Sequence, residues 1–192
     1  MRHSCKQRLG VILALGATAA VTLGAAASAG QVFRETVHDE GTFVLEDFCD
    51  QPGMTVDVAF ALDLRVHVVP HRRDRLDYFL QHGIRTEVLT NPANGKSLTS
   101  VAKVIEKDMR VTDNGDGTLT ILILATGTAV LYGENGKAIA RDPGQIRFKI
   151  LVDHGGTPTD PDDDEFLADL GQVKGSTGRS DDFCEAALPA LS

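Results

Sequence analysis

The stretch from Met54 to Val68, MTVDVAFALDLRVHV, alternates apolar and polar side chains almost throughout. Its even-numbered positions are all apolar, and its odd-numbered positions include Asp57, Asp63, Arg65 and His67. A period of two is typical of a strand that buries one face. The stretch therefore predicts one long strand, or two strands that meet at a bend near residues 59–61.

Similar alternation recurs along the rest of the chain, between segments rich in turn-forming residues. Residues 113–117 and the pair Asn135-Gly136 supply the Asn-Gly and Asp-Gly steps that tight hairpins need. Counting a strand near Thr42–Phe48 and two short strands joined at His82-Gly83, we expect seven or eight antiparallel strands. Because a long meander usually closes to avoid exposed edges, the prediction is an all-β fold: a small up-and-down β-barrel rather than an open sandwich.

The first 29 residues have the organisation of a secretory signal peptide. A basic start precedes an apolar run from Leu9 to Ala27, and the small residues Ala27-Ser28-Ala29 follow. We expect cleavage after Ala29 and no membrane span in the mature chain. Residues 30–192 are then predicted to form one secreted domain, with a β core at about 42–153 and an acidic loop and tail at 154–192.

Removal of this leader changes the charge and the cysteine count. It leaves sixteen Lys and Arg against twenty-seven Asp and Glu, a formal net charge of −11. That balance argues against nucleic acid or an anionic membrane as a partner and favours a cation or a cationic partner. Cys49 and Cys184 remain as a pair, so we predict a disulfide that ties the first strand region to the C-terminal tail.

The acidic segment from Asp160 to Glu165 has two interpretations. Asp160, Asp162 and Asp164 are candidate Ca²⁺ ligands, because calcium prefers several carboxylate oxygens on one turn. The spacing does not match an EF-hand loop. Alternatively the segment is a solvated loop in which Asp163 or Asp164 caps a short helix through Leu170, with the tail continuing as a loop.

Four side chains are candidate contacts for a small ligand. Arg65 and His67 lie on the polar side of the strand predicted at residues 54–68, and Tyr78 and Tyr132 are the chain's two tyrosines. No nucleophile elbow, zinc-protease helix, phosphate loop or dinucleotide fingerprint is present in the sequence. The sequence therefore leaves enzymatic activity undecided.

Four short motifs carry a resemblance to known proteins. They are Glu-Asp-Phe-Cys at 46–49, Thr-Asn-Pro-Ala-Asn-Gly-Lys-Ser at 90–97, Asp-Asn-Gly-Asp-Gly-Thr-Leu-Thr at 113–120 and Asp-Asp-Phe-Cys at 181–184. With the Ala- and Gly-rich leader, this combination resembles uncharacterised secreted proteins of high-GC Gram-positive bacteria. In outline, the predicted barrel is similar to allene oxide cyclase, dirigent-like and lipocalin barrels, but none of their functional residues can be matched to this chain.

Three functions are consistent with these features. The first is a secreted protein that binds a small hydrophobic molecule or interacts with a cationic partner. The second is a barrel-type isomerase or cyclase for a small apolar substrate, which requires a buried ionisable group; Tyr78, Tyr132, His67 and Glu106 are the candidates. The third is a cation-binding protein associated with the cell envelope.

Overall fold

A computed structural model describes residues 33–71, 76–176 and 178–192, so the predicted signal peptide lies outside the described residues. These ranges contain seven strands and one α-helix, α1. Their bounds are β1 Phe33–Leu45, β2 Val56–Pro70, β3 Asp77–Thr90, β4 Ser97–Asp113, β5 Thr118–Tyr132, β6 Ala138–Asp153, β7 Glu165–Lys174 and α1 Phe183–Leu191. The sheet extends beyond the predicted core of 42–153 at both ends.

Each strand pairs antiparallel with the next one along the chain, so the sheet order is β1 to β7. This confirms the all-β meander. The predicted turns are confirmed too, since Gly115 and Gly136 adopt φ values of 75° and 71°, which glycine reaches without strain. The prediction of two short strands joined at His82-Gly83 is wrong, because Gly83 keeps its pairing with both Leu64 and Val104 inside one continuous strand.

The barrel prediction is also wrong: the sheet is open. In the described part of the chain, β1 pairs only with β2, and β7 pairs only with β6. The pairing of β7 is interrupted by three register shifts within ten residues, so this strand presents no regular row of backbone groups to another strand. The edge of β1 places Glu35 and Asp39 in register with the buried side of β2, and inward-pointing charges of this kind disfavour pairing at an edge.

The sheet has two unlike faces. The face that carries Val58, Leu98 and Leu131, here called the core face, is buried at one end of the strands beneath helix α1. A second buried cluster lies on the same side of β5 at the opposite end of the strands. It comprises Leu76, Val111, Leu119, Ile121 and Val152. We call the other side of the sheet the open face.

The C-terminal tail is a helix anchored at both ends. The Asp182 side chain accepts a hydrogen bond from the Glu185 amide at 3.0 Å, which caps the helix start. Cys184 forms the predicted disulfide with Cys49, with Cα atoms 5.6 Å apart. No helix in the described ranges has the length and apolarity needed to cross a membrane.

The helix predicted from Asp163 or Asp164 through Leu170 is wrong. Residues 161–163 form a single 3₁₀ turn, and residues 165–174 form strand β7. Pairing with β6, in which Phe166 is opposite Val152, makes this segment a strand. Acidic residues that suit a helix start do not outweigh the backbone hydrogen bonds that pair this segment with β6.

Candidate functional site

A pocket of about 820 Å³ opens where β3 begins and β4 ends. Its apolar lining comes from Leu76, Tyr78, Met109 and Val111. Its polar lining comes from His71, Arg110, Thr112, Asp113 and Thr159, with Pro158 at its margin. Sites for small molecules combine apolar side chains with polar groups that orient the ligand.

A β-bulge in β4 shapes this pocket. The pairing of β4 with β5 shifts between Asp108 and Arg110, which leaves Met109 as the extra residue. Bulges re-aim side chains, and Met109 is 42% exposed at the pocket lining. The sequence does not predict this bulge, because no glycine or proline lies at residues 108–110.

Tyr78 is fixed in the pocket wall by two contacts. Its hydroxyl oxygen accepts a hydrogen bond from the Val111 amide at 3.2 Å. Its ring lies 4.9 Å from the imidazole of His71, centroid to centroid, at an angle of 32°. The predicted ligand contact Tyr78 therefore belongs to the pocket, positioned by the end of the bulged strand.

Two buried carboxyl groups lie beside this region on β4. Asp108 accepts a hydrogen bond from the Phe79 amide at 2.8 Å, and burial raises the pKa of its carboxyl to about 6. Burial also raises the pKa of Glu106, against a hydrogen bond from the Gln81 amide group. Glu106 is among the candidates named from the sequence, whereas Asp108 was missed, although acids two residues apart on a strand point to one face. Neither carboxyl lines the pocket.

The predicted calcium ligands lie near the pocket, on the segment that precedes β7. Burial raises the pKa of Asp164 to about 7, helped by the neighbouring charge of Asp163 and opposed by His154. Asp160 also contributes to that rise, so it lies close to Asp164. Among the side chains that the structure describes, no three His, Cys, Asp or Glu are arranged to hold a metal ion. The side chain of Asp162 lies outside the described residues, so the calcium site stays a prediction.

The other predicted ligand contacts are not brought to the pocket. Arg65 and His67 lie on the open face of β2, between the core-facing positions Leu64, Val66 and Val68. Tyr132 pairs with Thr99 at the far end of β4. The distance from Thr99 to the pocket end of that strand is roughly 40 Å, from a rise of about 3.3 Å per residue. The four side chains therefore do not form one site.

The segments 46–49 and 181–184, which both end in Phe-Cys, lie together in the structure. The disulfide joins them, and the rings of Phe48 and Phe183 meet edge to face with centroids 6.0 Å apart. Their role is to hold helix α1 against the core face, since both phenylalanines belong to the cluster beneath it. No family model, no curated protein and no solved structure matches this chain.

Proposed function

We propose that this protein is a secreted binding protein that takes a small, largely apolar molecule into the pocket beside Tyr78. The observation that carries the proposal is the pocket itself, which has a volume of about 820 Å³ and a lining of both apolar and polar side chains. Pockets for small ligands are roughly 300–1,000 Å³ and combine apolar walls with a few polar groups. The leader-like first 29 residues support export, and a disulfide persists best in an oxidising compartment.

Binding is better supported than catalysis. The buried carboxyl groups of Glu106 and Asp108 meet one requirement of an isomerase or cyclase, an ionisable group with a raised pKa. They do not line the pocket, however, so the pocket and the carboxyl groups do not form one reaction site. A pocket whose lining includes neither of these buried carboxyl groups favours a binding protein.

Met109 and Ile105 provide a matched pair for a test. Both are on β4 and their exposed fractions are 42% and 41%, but only Met109 lines the pocket. Met109→Trp fills the pocket, whereas Ile105→Trp adds the same ring elsewhere on the strand. Titration with the neutral fluorescent probe N-phenyl-1-naphthylamine measures the occupancy of the pocket.

The wild type should show a saturable, one-site rise in fluorescence. Met109→Trp should weaken binding about tenfold or more, a loss of about 1.4 kcal/mol, and Ile105→Trp should leave it unchanged. Absence of saturable binding by the wild type, or equal losses in the two variants, would overturn the proposal. Melting curves of both variants establish that they are folded.

A further inference from the structure

The open face carries a row of side chains that crosses the whole sheet. Register aligns one residue from each strand, and each is directly opposite the next. The row consists of Arg34, His67, Leu80, Lys107, Leu124, Arg147 and Lys174. Five of these seven side chains are basic and none is acidic. With strands about 4.8 Å apart, the row is roughly 29 Å long.

The rows on either side continue the same pattern. One contains Arg65 and His82 among Thr36, Ile105, Thr126 and Gln145. The other contains Arg110 and Lys149 on either side of Leu122. Together the three rows, here called the basic face, hold seven of the thirteen Lys and Arg in the described ranges and no Asp or Glu. This concentration stands out because the chain as a whole has a formal net charge of −8.

No ion pair among the described residues neutralises the cations of the basic face. Within residues 33–71, 76–176 and 178–192, the ion pairs involve His38, Arg85 and Arg179, all of which lie outside these rows. The buried Nε of Arg147 makes no hydrogen bond to any described group. Uncompensated charge of one sign on one face creates a field that attracts an anionic surface.

Aliphatic side chains lie between these cations. Leu80 and Ile105 are each 41% exposed, and Val69 on the same side of β2 is 44% exposed. The row that holds Arg110 also contains Tyr78, which is directly opposite Val69, and the ring of Tyr78 already packs on the imidazole of His71. The described residues of the three rows include no second Phe, Tyr or Trp, so they lack the series of aromatic rings on which a sheet stacks the bases of single-stranded nucleic acid. Lys and Arg with exposed aliphatic neighbours suit the headgroup layer of a membrane, where phosphates meet the acyl boundary.

We infer that the basic face docks on the surface of an anionic lipid bilayer. Seven uncompensated Lys and Arg on one side of an otherwise acidic protein orient that side toward lipid phosphates, and the exposed aliphatic side chains contact the upper acyl region. This surface adjoins the pocket, because Arg110 belongs to both. A secreted protein with both features binds its small ligand while held at an envelope.

Lys107, Lys174 and Lys137 provide the variants for a test. Lys107→Glu and Lys174→Glu reverse exposed charges in the central row, whereas Lys137→Glu makes the same change in the exposed turn before β6. The assay is co-sedimentation of the full chain with vesicles of phosphatidylglycerol mixed with phosphatidylcholine, and with phosphatidylcholine alone. Residues 1–32 are common to all variants, so any binding that they cause cancels in the comparison.

The wild type should prefer the anionic vesicles, and added salt should weaken that binding. Lys107→Glu and Lys174→Glu should each weaken it about thirtyfold, because each reversal changes the charge by two and one charge near the surface changes binding about fivefold. Lys137→Glu should change it less than about twofold. Equal binding to both vesicle types, or an equal loss with Lys137→Glu, would overturn the inference. Binding of polyphosphate or a single-stranded oligonucleotide without binding of anionic vesicles would assign the face to a soluble polyanion and also overturn it.

Discussion

Gly127 lies where β4 and β5 approach too closely for any side chain. A Cβ built on it would be 2.1 Å from the carbonyl oxygen of Lys103 and 2.9 Å from the Cα of Val104. Both contacts are to backbone, so no side-chain rotation relieves them. The glycine in the middle of this otherwise apolar strand is therefore required by packing between strands.

Gly127→Ala should destabilise the protein by about 1–3 kcal/mol, the usual cost of forcing extra atoms into a packed region. Gly83→Ala is the matched control, because Gly83 is also inside a strand but its Cβ would only touch the Leu64 side chain at 3.4 Å. Urea unfolding of the three proteins measures the difference. Equal stability of the two variants would contradict the assignment of strain to Gly127.

Asp108 makes stability depend on pH. Its carboxyl has a pKa of about 6 in the folded protein, raised from an ordinary value of 3.8 by burial. The folded state therefore binds the proton more tightly than the unfolded state, and the associated stability is present below pH 3.8 and lost as the pH rises through 6. The raised pKa of Asp164, about 7, acts in the same direction.

Asp108→Asn should remove this contribution while keeping an oxygen that accepts the hydrogen bond from Phe79. Between about pH 4 and pH 8, the free energy of unfolding of the wild type should fall by up to about 3 kcal/mol more than that of Asp108→Asn. Asp113 is exposed at the end of the same strand, so the free energy of unfolding of Asp113→Asn should show the same pH dependence as that of the wild type. Parallel pH profiles for wild type and Asp108→Asn would refute the prediction.

At the scale of elements, helix α1 depends on tertiary anchors. It is nine residues long, contains Pro189 and would be marginal by itself. The disulfide holds its first turn, and the side-chain amides of Asn91 and Asn94 each donate a hydrogen bond to the Leu191 carbonyl at 2.9 Å. The buried Ala187 and Leu191 then complete the cluster on the core face.

Replacing both Cys49 and Cys184 by Ala should lower the free energy of unfolding by about 2–5 kcal/mol, because the bond closes a loop of 135 residues. The wild type with its disulfide intact is the reference. Calorimetry of the two proteins measures the change in melting temperature. A melting temperature in the double variant equal to that of the wild type would show that the disulfide adds nothing.

At the scale of the whole molecule, the open sheet leaves two edges that need protection. Three register shifts protect β7, but β1 is regular along its length and relies on Glu35 and Asp39. Glu35→Val/Asp39→Val should therefore produce concentration-dependent association, measured by analytical ultracentrifugation. Asp57→Val/Asp63→Val removes the same charge from β2, which is paired on both sides, and should not associate. Association of both double variants alike would attribute the effect to net charge and not to the edge.

The pocket was partly predictable. Tyr78 was a candidate from the sequence, and it lines the pocket. Met109 and Val111 were not, because a bulge between Asp108 and Arg110 decides which side chains reach the pocket. A bulge depends on how two strands fit together, and the alternation within either strand does not reveal it.

The stretch MTVDVAFALDLRVHV by itself determined a strand with one buried face, and the Asn-Gly turns determined the hairpins, since both depend on interactions among residues close in the chain. Only the tertiary structure decided that the sheet stays open and that residues 165–174 form a strand. It also aligned Arg34, Lys107 and Lys174 in one row. These outcomes depend on the register between strands, which is set by the fit of side chains from distant segments and by the free energy of pairing at the edges.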